Sequence, residues 1–362
     1  MNKRFVALDA FRGLAAVAVV IFHINAVDSF SQWSFFRGSD ILVQFFFVLS
    51  GFVLAHGYGF GREIKFKKFM VLRFFRLYPL HIFMLVVFIL LEAFKFLAFK
   101  YADFEFNIAP FTEGSAFKEI LPNFLLIQAW SDAFDTFSFN YPSWSISIEF
   151  YTYAIFFVSF YFSQRYKIVV WFCISLFAFV CIYTAHYWLV SAVLKGLSCF
   201  FGGALCYCLY RKSANKKFPF LLGSVIECIL ILGIILVVSN EFELRNIVGP
   251  LLFMVTVYAF SFESGAVSRF LLLDVFSLLA KLSYSIYMTH AAILFCFFSG
   301  LLIIQKLMGT KLSIMIDGVR YLSFKHELIT DTVVMLIVLV VVYISKFTYR
   351  YIEKPGQLIL KR

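Results

Sequence analysis

An arginine at position 12 and a histidine at position 23 share one apolar stretch, LDAFRGLAAVAVVIFH, from Leu8 to His23. If that stretch is helical, the eleven steps between them turn about 1100°. The two side chains then fall roughly 20° apart on one face and about 16 Å apart along the axis. Imidazole is the commonest general base, and guanidinium suits phosphate and carboxylate. On one stripe they would serve proton abstraction at one end of a helix and anion recognition at the other. Asp9, three residues before Arg12, is close enough to pair with it. The alternative is a histidine that is only a satisfied member of a helix bundle.

Other segments carry chemistry of the same kind. VLRFFRLYPLH sets Arg73 and Arg76 one helical turn apart, a two-pronged anion site, with Lys65, Lys67 and Lys68 just before it. Ordinary cationic anchoring at a membrane surface would look the same. YPSWSISIEFYTY, Tyr141 to Tyr153, starts a helix at Pro142 and Ser143 and places Glu149 about two turns in. That depth matches His23, so Glu149 is expected to orient the imidazole, with Ser145, Ser147 and Tyr151 assisting by hydrogen bonds. A carboxylate tied to a neighbouring helix is the structural alternative. LSYSIYMTH adds Tyr284, Ser285, Tyr287 and His290, and Lys195 and Glu227 complete the buried charges and could pair with each other.

The elements that position these groups follow from composition. The 362 residues are 62% hydrophobic, with a mean hydropathy of +0.89, against roughly 45–50% apolar for soluble domains. Apolar runs of about 20 residues recur without period-two alternation, which points to membrane-spanning helices and away from a β-barrel. Ten spans are expected, at 8–28, 40–60, 75–99, 143–163, 168–185, 189–210, 218–238, 246–263, 281–303 and 331–352. With the N-terminus in the cytoplasm, 22 of the 32 basic residues fall on cytoplasmic segments, Arg62, Lys217, Lys361 and Arg362 among them. Lys306, Lys311, Arg320 and Lys325 are among those that fall outside. The bias places both termini inside. The net charge of +11 is then a product of topology, not a sign of nucleic-acid binding.

The fold class is therefore an all-α, multi-pass integral membrane protein in the lipid bilayer. It is expected to form one domain over 1–362, with no soluble domain at either end. Outer loops are expected at 100–142, with room for a short interfacial helix, and at 304–330. The N-terminus imitates a signal peptide, but Asp9 and Arg12 interrupt it and it reads as an uncleaved first helix. The seven cysteines lie inside expected spans without zinc-site spacing, so they read as small apolar side chains and no metal is expected.

Taken in order, LDAFRGLAAVAVVIFH, FFFVLSGFVLA, RFFRLYPLH, PSWSISIEF, SYSIYMTH and a terminal YRYIEKP resemble the acyltransferase 3 family of bacterial membrane proteins along the whole chain. The resemblance implies a catalytic arginine and histidine separated by ten residues, falling on Arg12 and His23. It also implies a paired-arginine motif on Arg73 and Arg76 and a carboxylate on Glu149. It further implies an acyl-coenzyme A donor, usually acetyl-coenzyme A, and an acceptor hydroxyl on a surface polysaccharide or glycolipid, in the cell (cytoplasmic) membrane. Two features depart from the family. Lys195 stands where an arginine is expected to help bind the donor, and the C-terminal hydrolase-like domain carried by many relatives is not expected here. The second favours a stand-alone enzyme or one with a separate envelope-biosynthesis partner.

The expected chemistry places coenzyme A phosphates on Arg73, Arg76 and Arg12 and the thioester near His23, with Asp9, Ser147, Tyr151, Tyr284 and His290 in support. His23 then acts as general base or as an acyl-histidine nucleophile. A proton-coupled transporter and a non-enzymatic assembly partner use the same kinds of residue and stay open on sequence alone.

Overall fold

The computed structural model describes residues 3–60, 64–102, 106, 108–162, 164–186, 188–216, 218–324 and 326–359. Arg62, Lys217, Lys325, Lys361 and Arg362, used above for orientation, lie outside the described residues, as does Ser163 at the end of the fourth expected span.

Among the described residues, the segments expected as spans each overlap a helix. These helices are α1 (Val6–Phe22), α2 (Leu42–Leu54), α3 (Phe66–Ala102), α4 (Trp144–Phe162) and α5 (Lys167–Thr184). They continue with α6 (Ser191–Ser213), α7 (Phe220–Ser239), α8 (Arg245–Phe260), α9 (Asp274–Met308) and α10 (Glu327–Thr348). Among the described residues, seven helical segments are long and apolar enough to cross a membrane, while α8 is apolar but shorter. The protein is thus a mostly helical membrane protein. With 37 and 35 residues, α3 and α9 outrun the spans expected at 75–99 and 281–303. At 1.5 Å per residue each exceeds 50 Å, against about 30 Å of hydrocarbon, so their ends project beyond it.

Close helix approach depends on small residues, since in lipid the packing of helix on helix is what holds a bundle together. A Cβ on Gly13 would lie 2.6 Å from the backbone of Leu279 and Ala280. The absence of a side chain there lets α1 lie directly on α9. Gly51 of α2 and Gly203 of α6 do the same for each other's helices, where a Cβ would overlap the carbonyls of Phe200 and Val48.

The first outer loop folds back on the bundle and contains the short helix Ile120–Phe124. The second departs from the all-helical expectation. It forms an antiparallel hairpin of Ser313–Ile316 and Val319–Leu322. Leu322 hydrogen-bonds Asn25 and Val27, so the hairpin is stitched to the chain just after His23. After α10 the chain enters a π turn, Tyr349–Glu353, and a last helical turn, Lys354–Leu358.

Glu227 and Lys195 do not pair. The Glu227 carboxylate accepts the N–H groups of Gly265 and Ser268 at 2.9 Å and the Ser268 hydroxyl at 2.5 Å. It is spent on the first turn of the short helix Ala266–Phe270, whose free N–H groups attract a carboxylate.

Candidate active site

The candidate residues divide between two cavities. The first, of about 410 Å³, is lined by Arg12, Arg73, Arg76 and Lys281 together with Glu149 and Glu353. Four cations against two carboxylates leave it net positive, as a polyphosphate requires.

Each cation is held differently. The Arg12 Nε donates to Ser283 Oγ at 3.0 Å, and its guanidinium pairs with Asp9 at 3.5 Å, as expected from their spacing. Arg73 donates to Tyr58 Oη at 2.9 Å and lies over the rings of Tyr58 and Phe69, with centroids at 5.1 and 5.7 Å. Its Nε is buried with no hydrogen-bond partner among the described residues. Arg76 has no carboxylate within 4 Å among the described residues. Its fork is free for a ligand.

Glu149 does not orient His23. Its Oε1 accepts from Ser50 Oγ at 2.7 Å and from the Tyr153 hydroxyl, inside the arginine cavity. Equal depth on two helices is no contact when the side chains face different neighbours. Ser147 and Tyr151 do not hydrogen-bond the imidazole either. Ser147 Oγ donates to Leu126 O at 2.6 Å and Tyr151 Oη to Leu125 O at 2.9 Å, so both secure the first outer loop. Tyr284 lines the arginine cavity and ties α9 to α3 through Leu77 O at 2.6 Å.

His23 lines the second cavity, of about 640 Å³, with Asp40, Gln44, Tyr141, Trp144 and Lys195. Lys195 therefore lines the cavity of the histidine and not that of the arginines. The imidazole partner is His290, fully buried on α9, whose Nε2 is 3.3 Å from His23 Nδ1. The acceptors around these rings favour one pair of tautomers. His23 Nδ1 faces Val19 O at 2.8 Å and His290 Nδ1 faces Ile286 O at 3.3 Å, an arrangement that suits a proton on each Nδ1. The one His23 Nδ1–H is then shared between Val19 O and the lone pair of His290 Nε2. What remains is the His23 Nε2 lone pair, unprotonated and unengaged among the described residues. The Tyr141 ring lies against this imidazole, tilted by 38° with centroids 4.6 Å apart.

Val43 and Tyr287 line both cavities. Tyr287 Oη meets Ser145 Oγ at 2.9 Å. A slender extended ligand anchored by phosphates in the first cavity would have to pass these two side chains to reach His23.

Arg37, which no motif marks, holds the end of α1. Its Nε donates to Ser31 O at 2.8 Å, and its terminal nitrogens reach Asn25 Oδ1, Ile21 O and Ile24 O at 3.1, 2.8 and 3.2 Å. Ile21 O lies in the last turn of α1 and Ile24 O just beyond it, so Arg37 braces the helix end that carries His23. Arg37→Met is expected to lower turnover about 10²-fold with the bundle intact, because a small misplacement of a reacting group has that effect. Arg37→Lys should rescue little, since an ammonium cannot fork between carbonyls. Turnover per folded protein, with helicity as the control, checks both. Glu353 was also missed as a site residue. It sat in the terminal YRYIEKP motif, and the fold brings it to Ser285 Oγ at 2.7 Å. Among the described residues, no group of His, Cys, Asp and Glu could hold a metal ion.

The chain matches the model of a family described as an acyltransferase domain over residues 5–348. It is 42% identical over 86 residues to Protein 2 in picA locus of Rhizobium radiobacter, covering 23% of this chain and 43% of that protein. It is 31% identical over 169 residues to Acyltransferase MdmB of Streptomyces mycarofaciens, covering 43% of this chain and 40% of that one. The chain thus spans less than half the length of these curated relatives. No solved structure matches it.

Proposed function

Since the chain belongs to the acyltransferase 3 family, we propose that it transfers an acetyl group from acetyl-coenzyme A to a hydroxyl on a cell-surface or exported glycan. In this reading the whole chain is one catalytic unit of the cell membrane, crossing it ten times with both termini in the cytoplasm. The arginine cavity opens to the cytoplasm and takes the coenzyme A phosphates on Arg73, Arg76 and Arg12. The pantetheine arm passes Val43 and Tyr287 and brings the thioester to the histidine cavity, which takes the acceptor from the outer side.

The observation that carries the reading is the pair of cavities, one cationic and one holding an unengaged imidazole nitrogen, that share a wall of two residues. His23 Nε2 removes the acceptor hydroxyl proton while the oxygen attacks the thioester carbonyl. The tetrahedral oxyanion collapses, the C–S bond breaks, and coenzyme A leaves as the thiol with the proton from His23. Glu149 and Glu353 position the arginine cavity and take no part in proton transfer. His290 keeps His23 in the tautomer that exposes Nε2.

Tyr287 is the side chain at the junction with a hydroxyl to offer the oxyanion. Tyr287→Phe is expected to lower kcat about 10²-fold with little change in donor KM, the size of losing one such donor. The test of the whole reading is coenzyme A thiol release from acetyl-coenzyme A by purified protein. Turnover by wild type and its loss in His23→Ala are expected. A protein that neither binds coenzyme A nor releases thiol would overturn the reading.

A further inference from the structure

We propose that the outer cavity is built for an acceptor that carries an anionic group, a carboxylate or a phosphate, and that Lys195 binds that group. This rests on the acyl-transfer reading above and extends it to the class of acceptor.

Lys195 lies in the first turns of α6 and lines the cavity that holds His23. The approach is set by Gly196, where a Cβ would overlap Ile148 of α4. Among the described residues no carboxylate comes within 4 Å of the Lys195 ammonium. The acidic side chain that shares this cavity, Asp40, is engaged at 3.4 Å by Arg245, whose guanidinium also donates to the carbonyls of Gly38 and Val238. The Gln44 amide donates to Asn246 Oδ1 at 2.9 Å. Arg37, behind His23, has its donors committed to the end of α1.

Lys195 is therefore the cation of this cavity without an ion-pair partner, in a wall that also offers the rings of Tyr141, Trp144 and Phe137. Flat apolar faces suit the C–H face of a sugar ring, and a partly buried ammonium whose cavity carboxylate, Asp40, is held by Arg245 favours a ligand that brings its own anion. A neutral glycan would leave the ammonium desolvated and unpaired. An anionic glycan pairs with it and presents a neighbouring hydroxyl to His23 Nε2.

The experiment uses purified full-length protein in lipid nanodiscs with acetyl-coenzyme A as donor. Three acceptors are compared: p-nitrophenyl β-glucuronide, glucose 1-phosphate and p-nitrophenyl β-glucoside. Thiol release gives kcat and KM, and mass spectrometry identifies the acetyl ester. The anionic acceptors, or whichever of the two carries the right group, are expected to show a KM about tenfold or more below that of the glucoside, the scale of a charge-assisted contact. Lys195→Met should erase that preference and Lys195→Arg should keep it, with coenzyme A binding as the check on folding. If Lys195→Met does not fold, added salt serves on the wild type. It should raise KM for the anionic acceptors and leave the glucoside unaffected. Equal use of charged and neutral acceptors, use of the glucoside alone, or donor binding without turnover on any of the three would overturn the inference. Failure to bind coenzyme A at all would instead overturn the acyl-transfer reading, and this inference with it.

Discussion

His23→Ala is expected to slow thiol release from acetyl-coenzyme A in the presence of acceptor by about 10³-fold, within the range of a positioned general base. The size follows from the hydrogen bonds around the ring. Val19 O and His290 Nε2 both face His23 Nδ1, which fixes the proton there and leaves Nε2 as the basic atom. His23 does not line the arginine cavity, so coenzyme A binding should survive the substitution and report a folded protein. A His290→Phe variant should fall less, by about tenfold, because it acts only through the tautomer and orientation of its neighbour. Direct transfer and an acyl-histidine intermediate both require His23. They separate in a rapid-quench experiment without acceptor, where only the second accumulates acetylated protein. Full activity in His23→Ala would refute both routes.

Arg76→Ala is expected to weaken coenzyme A binding by roughly 10- to 100-fold, the value of a charge-assisted hydrogen bond to phosphate. Of the arginines in that cavity, Arg76 is the one to test first. Arg12 is tied to Asp9 and Ser283, and Arg73 rests on aromatic rings, so removing either also removes packing. Arg76 gives up no ion pair within 4 Å among the described residues, and its loss should leave the fold nearly unchanged. Donor KM should rise with a smaller effect on kcat, because the phosphates are bound alike in the ground and transition states. Arg76→Lys should fall between, keeping charge without the fork. Calorimetric titration of coenzyme A into both variants measures this. Unchanged affinity in Arg76→Ala would remove the arginine cavity from the donor site.

Much of the architecture was legible before any coordinates. Apolar runs near 20 residues long announce helices because the hydrocarbon leaves backbone groups no other partner. Each expected segment overlaps a helix, yet among the described residues only seven helical segments are long and apolar enough to cross a membrane, and the lengths differ most at α3 and α9. The hairpin at 313–322 left no comparable mark, since its few residues show no alternation strong enough to set it apart from a loop. Arg12, Arg73 and Arg76 converge as their motifs implied, because each motif lies near the same end of its own helix.

Partners across the bundle were a different matter. Helical spacing relates Asp9 to Arg12 because both sit on one helix with fixed geometry. No such rule relates Glu149 to His23, and rotation about two separate axes sends one to Ser50 and Tyr153 and the other to His290. Lys195 shows the same limit, lining the cavity of His23 and not that of the arginines, on a helix that Gly196 lets approach Ile148. By itself the sequence determined the solvent of this protein, the order of its helices and which side chains carry charge into the membrane. Only the tertiary structure decided which of those charges meet, because that depends on how small residues such as Gly13 let one helix settle against another.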